Sequence, residues 1–298
     1  MNDVCFFIMF RSEEGERLAR IVIECLRAFG GSLGDSPVWA FVLDPGRAAS
    51  AFPGLNGIER FSLELPVGSP AYPFAEKVYT CARAEELVGA EVRSLVWLSL
   101  DCLIIQAPQL FDLGEQPGIP PAEAAFRPVH VCNIGSPVQE PLDAFWQGIY
   151  QVLGIDELAG TVESFVGRQR LRPYFNTHCF AFNPAAGLGR AWWEAFQTLA
   201  DDQAFQAAAC NDAEHQIFLH QAVLSALAVK RLGWEHIRLL PPEYNYPLHL
   251  LGEMPADRQA RRLDSLVNAV YEEAFPWEAI EMAPQLRDWL RPRLAGGG

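Results

Sequence analysis

Short, wholly apolar runs alternate along this chain with stretches patterned for helices, and that alternation constrains the fold more than any other feature. Val4 to Phe10 is a continuous apolar run, short enough for a strand buried on both faces. Ser12-Glu13-Glu14 then offers a helix cap followed by first-turn carboxylates. Leu18, Ile21, Val22, Cys25, Leu26 and Phe29 recur at helical spacing until Gly30-Gly31 stops the helix. Strands follow over Pro37 to Leu43, closed by Asp44-Pro45-Gly46, and over Glu59 to Leu65. A helix is predicted over Phe74 to Val88, and the most apolar strand of the chain over Leu95 to Ile105.

Beyond these lie strands over Phe126 to Cys132, Tyr174 to Phe182 and Ile237 to Leu240. Helices are predicted over Leu142 to Leu153, Ala191 to Phe205 and Asp212 to Leu227. Leu113 to Ala122, rich in proline and glycine, reads as an exposed loop. The pattern predicts an α/β fold: three layers, α/β/α, with a mainly parallel (mixed) central sheet covered on both faces. Residues 1–250 are expected to form the domain, and the charged, proline-containing stretch 251–298 a C-terminal extension packed on it.

The chain has 298 residues, half of them hydrophobic, enough for a sizeable core. A net charge of -14 argues against nucleic acid or an anionic membrane as partner. Lys77 and Lys230 are the only lysines, so arginine carries nearly all the positive charge. The seven cysteines form no CxxC pair and sit mostly in apolar runs, which points to a reducing, cytoplasmic setting. The N-terminus lacks the basic start of a signal peptide, and no apolar stretch is long enough to span a membrane. Gly296-Gly297-Gly298 reads as a frayed tail or a cloning scar.

Asp101 is the main chemical signal, since it interrupts the greasiest strand: Leu95-Val96-Trp97-Leu98-Ser99-Leu100-Asp101-Cys102-Leu103-Ile104-Ile105. An ionised carboxylate there is costly unless paired, hydrogen-bonded or metal-bound. In open α/β sheets ligands sit at the carboxyl ends of strands, where such a group holds a divalent cation against a diphosphate. A structural aspartate bonded to backbone or to an arginine is the alternative. Arg168, Arg170 and Arg172 form a small basic cluster that either meets an anionic ligand or sits on a solvated loop. His215 and His220 are five residues apart and do not share a helix face, and His130, His178 and His236 have no partner at ligand spacing. Trp192-Trp193 and Phe145-Trp146 read as core packing. No GxGxxG, P-loop or GxSxG motif occurs.

Five segments in order extend the reading. Pro73-Phe74-Ala75-Glu76-Lys77 opens a helix, and Leu98 to Ile104 carries Asp101. Tyr174-Phe175-Asn176-Thr177-His178-Cys179-Phe180-Ala181-Phe182-Asn183, Glu214-His215-Gln216-Ile217-Phe218 and Leu239-Leu240-Pro241-Pro242-Glu243-Tyr244-Asn245 follow. Together, over roughly residues 1–250, they resemble the GT-A glycosyltransferases of the glycogenin-like and lipopolysaccharide-galactosyltransferase-like families. Three departures stand out. Ser99 replaces the first Asp of the family's Asp-x-Asp pair, His178 a small glycine, and Glu214-His215 an Asp-Gln pair. The family's C-terminal histidine motif for metal is not recognisable: His249 follows Asn245 too closely.

The resemblance implies transfer of a sugar from a nucleotide-diphosphate sugar to an acceptor. It implies that Asp101, beside Ser99, holds Mg²⁺ or Mn²⁺ or contacts the donor ribose, and that Lys77 neutralises the diphosphate or contacts the donor sugar. It further implies that Asn176 bonds the sugar next to His178, that Glu214 or His215 lies near the anomeric carbon, and that Arg11 faces the nucleotide. Lys77 read without the resemblance is a solvated helix lysine paired with a carboxylate. The departures at Ser99 and His178 also permit a binding or scaffold protein that keeps the fold and has lost transfer.

Overall fold

The computed structural model describes residues 3–48, 51–52 and 54–294. Strand β1 (Val4–Phe10) feeds helix α1 (Glu13–Phe29), whose first turn is capped by the Ser12 hydroxyl accepting from the Gly15 amide. Strand β2 (Val38–Val42), the short α2 (Pro45–Ala48), β3 (Ile58–Ser62) and α3 (Ala75–Leu87) follow. The next strands are β4 (Ser94–Leu98), β5 (Cys102–Ile104) and β6 (Ala124–Pro128). Helix α4 (Ala144–Leu153), capped by Asp143, leads to a small hairpin of β7 (Val162–Glu163) and β8 (Arg170–Leu171) and then to β9 (Phe175–Phe182). Helices α5 (Leu188–Asp201), α6 (Gln203–Ala209) and α7 (Ala213–Leu232) precede β10 (Ile237–Leu239), β11 (Tyr246–Pro247), β12 (Asn268–Val270) and α8 (Pro284–Leu294).

The central sheet runs β10-β6-β9-β4-β1-β2-β3. β9 is antiparallel to both its neighbours, and every other pairing is parallel, so the sheet is mixed but mainly parallel as expected. Alternate residues of β1 serve two cores. Val4, Phe6, Ile8 and Phe10 pack with α1 and the C-terminal segment, and Cys5 and Phe7 with α3, α4, α5 and α7. Both faces are therefore covered, which is why the strand is apolar throughout. No helix among the described residues is long and apolar enough to cross a membrane. The seven cysteines are free thiols.

Two expectations about elements need correction. The apolar run from Leu95 to Ile105 is two strands rather than one. β4 ends at Leu98, the Ser99 amide still donates to the His178 carbonyl, and the chain then turns through Leu100 and Asp101 into β5, which belongs to a second sheet ordered β11-β12-β5. Asp101 thereby leaves the ladder, and its side chain keeps about 25% of its surface exposed instead of being sealed mid-strand. The helix over Ala191 to Phe205 is broken at Asp202, whose carboxylate accepts from the Ala204 and Phe205 amides and starts α6 afresh. Met1 and the triglycine terminus lie outside the described residues.

The chain after Leu251 packs into the core on the α1 face of the sheet. β12 pairs antiparallel with β5 and parallel with β11. α8 packs on α1, with Trp289 edge-on to Phe29 at 5.0 Å and Arg293 Nε 2.7 Å from Glu24.

Candidate functional site

A cavity of about 610 Å³ opens where β1 and β4 end and β9 begins. That is the carboxyl edge at which ligands of open α/β sheets bind, and the volume suits a small organic ligand. Its polar lining includes Lys77, Asp101, Asn176, His178, His249 and Glu272.

Lys77 projects from the first turn of α3 and is only 5% exposed. Its ammonium donates to the Thr177 carbonyl at 2.6 Å and lies 5.5 Å from the Trp97 ring and 5.6 Å from that of Phe74. No carboxylate among the described residues pairs with it directly. Burial pushes its pKa down to about 8, against the raising pull of neighbours that include Asp101. The site therefore stores a cation that lacks a carboxylate partner, an arrangement suited to an anionic ligand.

Opposite stand two carboxylates and two imidazoles. Asp101 accepts a hydrogen bond from the Ser99 hydroxyl at Oδ1, and its Oδ2 lies 3.8 Å from His178 Nε2. The same nitrogen is 3.9 Å from Glu272 Oε1, which in turn is 3.1 Å from His249 Nε2. Burial holds the His178 pKa down to about 4, outweighing the Asp101 charge, so the ring is neutral near pH 7. The Nδ1 atoms of His178 and His249 are buried without a hydrogen-bond partner.

A deeper polar layer fixes these groups. His130 Nε2 donates to the Asn245 carbonyl at 2.7 Å, leaving Nδ1 to accept from Asn176. Asn176 Oδ1 accepts from the His178 amide at 2.8 Å and from the Asn245 amide group at 3.3 Å. His220 Nδ1 donates to the Ile217 carbonyl, and its Nε2 faces the Thr177 hydroxyl at 3.1 Å. Burial, reinforced by His178 at His130 and by Lys77 at His220, holds both rings well below the ordinary histidine range. Backbone strain gathers here too. Phe74, Asn133 and Glu272 line the cavity with φ of 63°, 43° and 53°, and Asn245 beneath it has 50°.

Of the residues singled out from sequence, Lys77, Ser99, Asp101, Asn176 and His178 line this cavity together. Arg11, Glu214 and His215 do not. Arg11 is exposed and pairs with Glu76. Glu214 is exposed in the first turn of α7, and His215 Nδ1 lies 2.7 Å from Asp212, the residue that caps that helix, with its ring edge-on to Phe145. The cavity instead receives Phe218, His220 and Gln221 from α7. His130, His220, His249 and Glu272 carried no usable spacing in the sequence. The near-adjacency of His249 to the Leu-Pro-Pro-Glu-Tyr-Asn segment was the one signal that pointed inward.

The Rhodobacterales glycosyltransferase domain matches residues 43–233. The chain belongs to this glycosyltransferase family. No curated protein sequence matches it. Among solved structures it is similar to the galactosyltransferase LgtC, determined in complex with donor and acceptor sugar analogs. The TM-score is 0.52 at 14% identity, over 98% of this chain and 94% of that one, a likeness of fold. The chain has the GT-A architecture.

No group of three or more His, Cys, Asp and Glu among the described residues is arranged to hold a metal. Asp101 Oδ1 is engaged by the neutral Ser99 hydroxyl, and its Oδ2 lies 3.8 Å from the partly exposed imidazole of His178.

Proposed function

We propose that this glycosyltransferase moves a sugar from a nucleoside-diphosphate sugar to an acceptor hydroxyl, with Lys77, Ser99, Asp101, Asn176 and His178 forming the donor site. The observation that carries the reading is Lys77, a buried ammonium at the end of the sheet with no carboxylate partner among the described residues. When the bond between the anomeric carbon and the diphosphate oxygen breaks, both electrons leave with the diphosphate, and a preplaced cation stabilises that charge. Asp101 and Asn176 supply acceptors and a donor for sugar hydroxyls. Glu272, half-exposed at the cavity mouth, is the group we assign to take the acceptor proton as the new carbon–oxygen bond forms. Glu214 and His215 have no part in this scheme. The donor and acceptor analogs in the LgtC complex support a cleft that seats two sugars. The free, largely buried thiols suit a cytoplasmic reaction.

The Ser99–Asp101 bond favours a second reading, a sugar-nucleotide binding protein without turnover. Thermal unfolding with UDP-, GDP- and CDP-sugars, with and without Mn²⁺, combined with an assay for nucleoside diphosphate release, separates the two. A donor at about 100 times its dissociation constant adds roughly 2.7 kcal/mol of stability. Glu272→Gln should keep that stabilisation and lose release. Stabilisation without release in the wild type favours the binding protein, and no response to any nucleotide sugar removes both readings.

A further inference from the structure

A second cavity, of about 680 Å³, lies between the end of β6, the β7–β8 hairpin and the segment around β11. Arg127 and Arg258 both line it, and both guanidinium groups lie over the Phe165 ring, at 4.8 and 5.2 Å from its centre. Their situations differ. Arg258 donates to the Ser164 and Phe165 carbonyls and pairs with Glu163. Arg127 is 5% exposed, its Nε is buried without a hydrogen-bond partner, and no carboxylate among the described residues lies within ion-pair distance. The remaining acids of the cavity are accounted for: Asp257 pairs with Arg168, and Glu243 acts on Arg127 only through space.

Burial and then the Arg258 charge hold the Arg127 pKa down to about 10, so the guanidinium stays protonated at physiological pH. Two cations facing one ring repel each other, and a buried charge whose Nε has no acceptor is costly to keep. A planar fork of donors open to a cavity is matched by a carboxylate or phosphate oxygen pair. Exposed Leu239 and Pro242 give the rim an apolar side. We propose that this second cavity is an oxyanion site, anchored by Arg127, for the carboxylate or phosphate group of a small organic molecule. The site is separate from the Lys77 cavity and does not depend on the transfer reaction.

Calorimetric titration of the full chain with inorganic phosphate and, in a second arm, with glucuronate tests this and distinguishes the two oxyanions. The wild type should bind at least one probe saturably, and Arg127→Gln should weaken that binding by about tenfold or more. The Arg127-dependent binding should persist in Lys77→Met, which disables only the donor cavity. Glu243→Gln removes the competing carboxylate and should tighten binding by about threefold. Should Arg127→Gln fail to fold, Glu243→Gln decides alone. The proposal is overturned by the absence of saturable binding to either probe, by an unchanged affinity in Arg127→Gln, by loss of all binding in Lys77→Met, or by unchanged or weaker binding in Glu243→Gln.

Discussion

The Ser99 hydroxyl donates its hydrogen bond to the Asp101 carboxylate, two residues along the same turn. A chain with a second carboxylate at position 99 would need a cation there; this chain satisfies the Asp101 carboxylate with a neutral donor. Ser99→Asp should therefore place two like charges side by side and lower stability by about 1–2 kcal/mol without metal. Millimolar Mn²⁺ should restore most of the loss, because a hard cation bridges paired carboxylates. Melting temperatures of wild type and variant with and without Mn²⁺ check this, and an equal Mn²⁺ response from both proteins would refute it.

Lys77 gives two pH dependences of opposite sign. Its folded pKa, about 8, lies below the ordinary lysine value, so the unfolded chain holds the extra proton between about pH 8 and 10.5. Stability linked to Lys77 is therefore lowest where both states are charged, and rises with pH through that window by up to about 3 kcal/mol. Donor affinity moves the other way, because an anion needs the ammonium and binding weakens as pH climbs past 8. Lys77→Met should flatten both dependences, as read from denaturant unfolding and from ligand titration at pH 7 and 9.

The buried histidines set the acid limit. His130 and His220 sit well below the ordinary histidine range, and His178 near 4, all chiefly through burial. Below pH 6.5 the unfolded chain takes up protons that the folded one refuses, so stability falls as pH falls, by about 1.4 kcal/mol per pH unit for each histidine. Unfolding measured from pH 7 to 5 should show this decline, and His130→Asn should make it shallower by about one histidine's share. A flat profile would mean that these rings titrate normally.

What could be read from sequence follows from how local each feature is. The Val4–Phe10 strand and the Ser12 cap were legible because burial on both faces and a first-turn hydrogen bond are written within one segment. Asp101 was legible as a residue but not in its setting, because the end of β4 is fixed by which strand pairs next, and β12 lies over 150 residues away in the chain. The meeting of His130, His178, His249 and Glu272 is a product of topology: all four come from chain that converges only when β6, β9 and the segment around β11 and β12 are assembled. Glu214, singled out by its sequence position, does not line the cavity. It lies on the same helical stripe as Phe218 and Gln221, but one turn, about 6 Å, short of the cavity.

The C-terminal stretch invites a last test, since we propose that 251–298 completes the same domain as residues 1–250. β12 is the antiparallel partner of β5, the strand that immediately follows Asp101, and the Tyr271 amide donates to the Asp101 carbonyl at 3.0 Å. Leu263, Leu266, Ala269, Val270, Leu286 and Leu290 are buried in the core that also holds α1. A chain ending at residue 250 would expose the β5 edge and that apolar surface, each large side chain being worth about 1.5–3 kcal/mol of burial. The loss is comparable with the whole stability of an ordinary domain, about 5–15 kcal/mol. The truncated chain should therefore lose its cooperative thermal transition and bind a hydrophobic dye, with donor-dependent stabilisation gone as well. Removing only residues 284–298 strips α8 alone and should lower stability while leaving the transition cooperative. If the chain ending at 250 melts cooperatively near the full-length temperature, the C-terminal stretch is an appendage and the Asp101 turn holds itself in place.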